Sequence, residues 1–363
     1  MKAWKVGLVA TMMAGVLSAC GGSESPSGNT EGGASADQET YEIKVANVLS
    51  GSDVTAHGLN KFAELAAEKS DGRIQVEVFH GGQLGSGVET FEAVKNGNLD
   101  MASDSFANLA SITPAFEIFH LPFLFDSREQ ALAAMNSERV RERVNNELEV
   151  SNLQWFASFE IGGPREVGTS KKKITRLEDF QGMKLRASRS PLEIAAQEAW
   201  GARGVTVDWP ETPEAVRMGM VDGLTVPYAS FYSSQFYEGG LIKYMLDLNF
   251  QWYSLVTVVN REKWSSLPEE IQNILSESIE EAQAWHIDFV SDYITDNIKT
   301  MREAGVDIYS LSEEEQARIK DLTIDKVWTE FIGQTGIPQD KLDLIQSQIA
   351  EADGSSGWGY AID

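Results

Sequence analysis

Arg186 is the residue whose type and position most directly suggest chemistry. It closes the run Gly182-Met183-Lys184-Leu185-Arg186, which reads as an approach turn followed by a short strand. A guanidinium at the end of a strand in an α/β layer can grip a carboxylate through two parallel hydrogen bonds. The competing role for Arg186 is a salt bridge between two parts of the fold. Arg186 lies in a basic stretch that begins at Arg165, continues through Lys171-Lys172-Lys173 and ends at Arg189. The three lysines read as a solvated loop. The chain as a whole is acidic, with 55 Asp and Glu against 30 Lys and Arg and a formal net charge of −25. An anion must therefore be held by locally placed cations against the field of the whole molecule. The same balance argues against holding nucleic acid by phosphate neutralisation.

No other pattern points to catalysis or to a metal. His57, His80, His120 and His286 are scattered, with no His-x-x-x-His or His-Glu-x-x-His pair, and Gly-x-Ser-x-Gly is absent. No glycine-rich loop opens a helix in a phosphate-cradling pattern. No cofactor is expected. The single cysteine, Cys20, follows Leu17-Ser18-Ala19 at the end of an apolar stretch from Val6 to Leu17, preceded by Lys2 and Lys5. That arrangement resembles the bacterial lipobox, in which the thiol is acylated and the chain is cut before it. Residues 1–19 are then a lipoprotein signal peptide. Residues 20–40, rich in Gly, Ser, Glu and Asn, form a flexible tether. With Cys20 lipidated, the folded body has no thiol for a disulfide, a nucleophile or a metal site. The lipid is the expected membrane contact.

Several elements are legible around Arg186. Tyr41–Ala46 alternates as a strand, His57–Lys69 has helical spacing, and Ile74, Val76 and Val78 mark a second strand. The Gly81-Gly82-Gln83-Leu84-Gly85 loop leads to a helix over Val88–Lys95, and Leu99-Asp100-Met101-Ala102 opens a third strand. Strands at Trp155–Phe159, Leu185–Ala187 and Val205–Val207, with helices at Pro191–Trp200 and Thr212–Met220, make a second α/β set. From Pro268 to Ala304 no Pro or Gly interrupts the chain beyond the opening proline. Apolar residues recur there at spacings of three and four, which predicts one helix roughly 55 Å long, enough to lie across two lobes.

The chain resembles the substrate-binding subunit of TRAP (tripartite ATP-independent periplasmic) transporters, of the C4-dicarboxylate-binding type. The resemblance rests on Gly72-Arg73-Ile74-Gln75-Val76, Gly82-Gln83-Leu84-Gly85, Gly97-Asn98-Leu99-Asp100-Met101 and Leu121-Pro122-Phe123-Leu124-Phe125. It continues through Gly182 to Arg186, Val221-Asp222-Gly223, and Trp264 to the end of the long helix, in the family's order over about residues 41–335. It implies a two-lobed, periplasmic-binding-protein-like α/β fold that closes on its ligand, with hinge strands and a long helix spanning both lobes. Lobe I is expected at 41–162 plus about 251–285, and lobe II at 163–250 plus about 286–363. The family's carboxylate-gripping arginine falls on Arg186, a second arginine on Arg165, a packing aromatic on Trp209, and first-lobe polar positions on Asn47 and Asp104.

One stretch departs from the pattern. Many relatives carry Gln-Glu-Asn-Pro after Asp-Gly; here the residues are Leu224-Thr225-Val226-Pro227-Tyr228. Val226 cannot supply the asparagine's hydrogen bond, and Thr225 or Tyr228 is the expected replacement. The ligand is accordingly left open within the small organic anions. The implied partners are that acid and the small and large membrane subunits of a sodium-driven transporter, with a monomeric receptor in the periplasm or at the cell surface. A ligand-presenting subunit of a signalling receptor and a secreted enzyme are the rival readings.

Overall fold

The computed structural model describes residues 39–333, 336–352, 357, 358, 360 and 362. The segment expected to be a signal peptide, Cys20 and nearly all of the expected tether lie outside the described residues.

The chain from Glu39 onward forms one compact unit. It opens with β1 (Tyr41–Asn47), α1 (Val54–Lys69), β2 (Ile74–Phe79), α2 (Gly87–Lys95), β3 (Met101–Ser105) and the single turn α3 (Phe106–Leu109). Then come α4 (Arg128–Asn136), α5 (Glu138–Leu148) and the long strand β4 (Leu153–Thr169). A second α/β run follows: β5 (Lys184–Ala187), α6 (Pro191–Ala199), β6 (Arg203–Thr206), α7 (Thr212–Arg217), β7 (Gly223–Val226) and α8 (Tyr228–Ser233). The chain continues with β8 (Tyr244–Asn260), α9 (Arg261–Ser266), α10 (Glu269–Glu303), β9 (Asp307–Tyr309), α11 (Glu313–Thr323), α12 (Thr329–Phe331) and α13 (Gln339–Glu351).

The strands form one mixed sheet in the order β2-β1-β3-β8-β4-β7-β5-β6, with β9 beside β8. The β2-β1-β3 and β7-β5-β6 sets carry the parallel pairs expected from the sequence. Between them run β4 and β8, antiparallel and seventeen residues each. Their register runs from Leu153↔Asn260 to Glu160↔Ser254, breaks, and resumes at Pro164↔Trp252. The break coincides with Gly162 and Gly163, at φ +83° and +96°, a backbone region that L side chains rarely adopt. The local Gly-Gly-Pro signal ends a strand at Phe159 on sequence grounds. Pairing with β8 on both sides of the break carries it to Thr169 instead, tertiary contact overriding local preference. β8 is a further strand, with Leu246, Leu248, Phe250 and Trp252 alternating within it.

The predicted long helix is α10, at 35 residues about 52 Å. Pro268 occupies its N-cap position, Glu269 and Glu270 face the positive end of its dipole, and Arg302 sits in the last turn. It serves two cores. Ile271, Leu275, Ile279 and Ala282 pack with Ile43, Val45, Leu59 and Phe62. Val290, Ile294, Ile298 and Met301 pack with Leu224, Val226, Tyr228 and Phe231. One amphipathic face thus ties the first α/β set to the second. Among the described residues no helix is long and apolar enough to cross a membrane.

Candidate functional site

A cavity opens where the two α/β sets face each other. Strand ends and helix starts build its lining. From the first set come Ser86, Gly87 and Val88 at the start of α2, with Asp104 and Ser105 at the end of β3. From the second come Arg186 and Ser188 at and after β5, Asp208-Trp209-Pro210 after β6, and Val226 at the end of β7. Arg165 on β4, Tyr253 on β8 and Asn108 on α3 also line it. This is where open α/β sheets place ligands, outside the carboxyl ends of their strands.

Arg186 is almost wholly buried, at 4% exposure. Its Nε donates to the Val207 carbonyl at 3.0 Å, and its guanidinium carbon lies 5.3 Å from the centre of the Trp209 ring. Among the described residues no carboxylate is within ion-pairing distance of it. Burial pulls its pKa below the usual arginine value. A desolvated cation with a single carbonyl partner has unused donors for an anion in the cavity. The salt-bridge role weighed for Arg186 is not what the structure shows.

Arg165 is held differently. It donates to the Thr225 carbonyl and, at 3.5 Å, to Ser188 Oγ. Its Nη1 lies 3.2 Å from Glu193 Oε1, both side chains fully buried. Its guanidinium lies 3.9 Å from the centre of the Tyr253 ring. Its Nε is buried without a hydrogen-bond partner. Glu193 accepts in addition from the Ser188 amide at 2.9 Å, from Ser188 Oγ and from Thr225 Oγ1.

Asp104 faces these cations from the other side. Its carboxylate accepts from Ser105 N at 2.6 Å and Asn108 Nδ2 at 2.8 Å. Burial pushes its pKa up to about 6, opposed by those hydrogen bonds and by the charge on Arg186. Gly87 is required here by close approach: a Cβ would lie 1.3 Å from Asp104 Oδ2. At the rim, Arg189 pairs with Asp208 at 3.0 Å, both partly exposed.

The structure therefore gathers Arg165, Arg186, Trp209 and Asp104 around one cavity and leaves three other expected residues outside its lining. Asn47 ends β1, where its Nδ2 lies 3.0 Å from His80 Nδ1 and its Oδ1 accepts from Leu49 N, so it braces a neighbouring turn. Thr225 lies behind the lining, bonded to Glu193 and Gln197. Tyr228 is buried with its hydroxyl on Asp247 at 2.9 Å and its ring edge-on to Tyr360. A period-two strand explains the Thr225 result: Val226 faces the cavity, so its neighbour points away. Lys172 and Lys173 pair outside the cavity with Asp179 and Asp307. Glu193, Asn108, Asp208 and Tyr253 were not singled out from sequence. Asp208 sits beside Trp209, but Glu193 and Tyr253 join the site only through helix and strand placements that local pattern does not fix. Among the described residues no cluster of three or more His, Cys, Asp or Glu is placed to hold a metal.

Residues 45–334 match the family model described as bacterial extracellular solute-binding protein, family 7. The 2,3-diketo-L-gulonate-binding periplasmic protein of Escherichia coli is 28% identical over 68% of this chain and 74% of its own length. The C4-dicarboxylate-binding periplasmic protein of Rhodobacter capsulatus is 25% identical over 77% of this chain and 83% of its own. A crystal structure of a TRAP periplasmic solute-binding protein from Ralstonia eutropha with bound (S)-2-acetolactate superposes with a TM-score of 0.78 at 27% identity, covering 85% of this chain and 99% of that one.

Proposed function

The chain belongs to the bacterial extracellular solute-binding protein family 7, and on that premise we propose that its cavity receives a small organic acid and delivers it to the membrane subunits of a TRAP-type transporter. The observation that carries the ligand class is Arg186, buried in the cavity and free of any carboxylate partner among the described residues. The protein acts as a receptor and returns its ligand unchanged. The proposed lobes are 41–162 plus about 251–285 and 163–250 plus about 286–363, except that α13 packs on α4 and α5 of the first, where Lys341 Nζ donates to the Ala115 carbonyl and pairs with Glu147. This division is supported by the break in the β4–β8 ladder at Gly162-Gly163 and by the two cores along α10. Closure bends the chain at that break and brings Asp104 towards Arg186.

A ligand that binds only the folded state raises the melting temperature, by about 2.7 kcal/mol of stabilisation at a hundredfold excess over Kd. A thermal-shift screen of carboxylic acids is expected to yield such a ligand. With it, solution scattering should show a smaller radius of gyration, and Trp209 fluorescence should change because its ring lies against the Arg186 guanidinium. A panel in which neutral sugars stabilise the protein and no carboxylate does would overturn the reading.

Anchoring is proposed through a lipid on Cys20, supported by the Leu17-Ser18-Ala19-Cys20 sequence. Cys20→Ser should abolish incorporation of labelled fatty acid and release the protein from the membrane fraction. A mutant that still carries the label defeats the proposal.

A further inference from the structure

The charges around the cavity can be matched one by one. Arg189 is taken by Asp208 at the rim. Arg165 is taken by Glu193, which lies one layer behind the lining and is wholly buried. Two charges are left without an ionic partner among the described residues: the Arg186 cation, bonded only to a carbonyl, and the Asp104 carboxylate, bonded only to an amide and to Asn108. They belong to opposite sides of the cavity, one at the end of β5 and the other at the end of β3.

We propose that this site selects a ligand with a single carboxylate, placed on Arg186, and a hydrogen-bond donor, a hydroxyl or an ammonium, placed on Asp104, and that Glu193 disfavours a second carboxylate by cancelling the charge of Arg165. The proposal rests on the carboxylate-receptor reading above and narrows it. The physical case is one of matching. A second ligand carboxylate would have to lie against Asp104, where like charges repel in a desolvated space, or against Arg165, whose charge already has a partner. Arg165 is itself wholly buried, with its Nε out of reach, so it offers a second ligand carboxylate no free charge. A ligand lacking a donor would leave the Asp104 carboxylate facing apolar groups in a closed cleft, which is unfavourable for a buried charge. Family membership does not decide this, since the relatives above are named both for a sugar acid and for dicarboxylates.

The test is calorimetry on the full chain in detergent with matched straight-chain acids of four and of six carbons. Each set contains the plain monoacid, its terminal hydroxy acid, its terminal amino acid and the dicarboxylate. In at least one set, the hydroxy or amino acid is expected to bind about tenfold or more tighter than both the plain monoacid and the dicarboxylate. Which of the two is favoured tells a hydroxyl ligand from a zwitterion. Glu193→Gln should improve dicarboxylate binding relative to the donor-bearing acid by about tenfold, because Arg165 regains an unmatched charge. Glu193 accepts several hydrogen bonds, so Asp104→Asn provides a second arm: it should relax discrimination against the dicarboxylate and abolish any preference for the amino acid. A dicarboxylate that binds the unaltered protein as tightly as the donor-bearing acids overturns this inference and leaves the receptor reading standing. A plain monoacid that binds as tightly as they do removes Asp104 from recognition and overturns it as well. Failure of every acid, while a neutral solute binds, overturns the receptor reading for carboxylates and this inference with it.

Discussion

Arg186→Ala is expected to weaken ligand binding by about thirtyfold or more, because truncating one partner of a buried, hydrogen-bonded charge pair typically costs about 2–5 kcal/mol. The size follows from the environment. Arg186 is buried against Trp209 and Val207 with no ion-paired carboxylate among the described residues, so on the proposed reading the ligand supplies its ionic partner. For the same reason the empty protein should lose little stability on truncation, since the variant removes a desolvated charge. Arg186→Lys should recover only part of the affinity, an ammonium being unable to reproduce the planar fork. Lys172→Ala is the control: its partner Asp179 lies away from the cavity and half of its side chain is exposed. Arg165→Ala serves poorly as a binding probe, because it also orphans the buried Glu193 carboxylate. Calorimetry with the acid found in the thermal screen, on variants shown to be folded, checks all of these. A folded Arg186→Ala protein that binds like the parent removes Arg186 from the site and the carboxylate argument with it.

The second large effect is on stability. Arg128, the first residue of α4, donates through Nε to both oxygens of Glu160 on β4 at 3.1 and 3.0 Å, and through Nη2 to the Ile287 carbonyl of α10 at 2.6 Å. The Glu160 side chain is 2% exposed. Burial raises its pKa, and the bonds and charge of Arg128 hold it back. Arg128→Ala should destabilise the fold by about 3–5 kcal/mol, the loss expected when a buried carboxylate is left without its cation. The sign of the pH dependence follows. Without Arg128 the Glu160 pKa rises further, so the penalty is present above that pKa and is relieved as falling pH protonates the group. The melting-temperature deficit should therefore shrink as the pH falls through the raised Glu160 pKa towards the ordinary carboxylate range. Adding Glu160→Gln should recover part of the loss and remove that dependence. A deficit below about 1 kcal/mol, the usual value of an exposed pair, would show that the contact does not support the fold.

Much of this could be read from the chain. Strict alternation gave β1 and β2, helical spacing gave α1, and the uninterrupted run after Pro268 gave α10 to within a residue at each end. Arg186 was placed at a strand end by residue type and local pattern alone, and that is where it lies. What could not be read was set by partners distant in sequence. Whether β4 stops at Phe159 or passes through Gly162-Gly163 depends on β8, whose pairing no local signal specifies. Thr225 and Val226 are adjacent, and which of them faces the ligand is decided by the register of β7 on β4, Glu166↔Val226. Glu193 is one more glutamate in an acidic chain until α6 sets it beside Arg165. The charge count of the cavity, on which the proposed selectivity turns, is therefore not legible in the sequence.

The two long strands bear on how the molecule is made. On the side away from β1, β3 is paired by β8, with Met101 opposite Val259, and β4 pairs with β8 on both sides of the break at Gly162-Gly163. The first half of the sheet is not contiguous in the chain and cannot close until residues near Asn260 have arrived, and the second, β9 apart, lies within 164–252 and takes its last strand from the start of the same β8. Such distant pairing makes folding slow. A nascent chain that must pass through a membrane pore as an extended thread benefits from that delay, because no compact half can form early and jam the passage. Pairing of β3 with β8 is thereby deferred until nearly three-quarters of the polypeptide has been made.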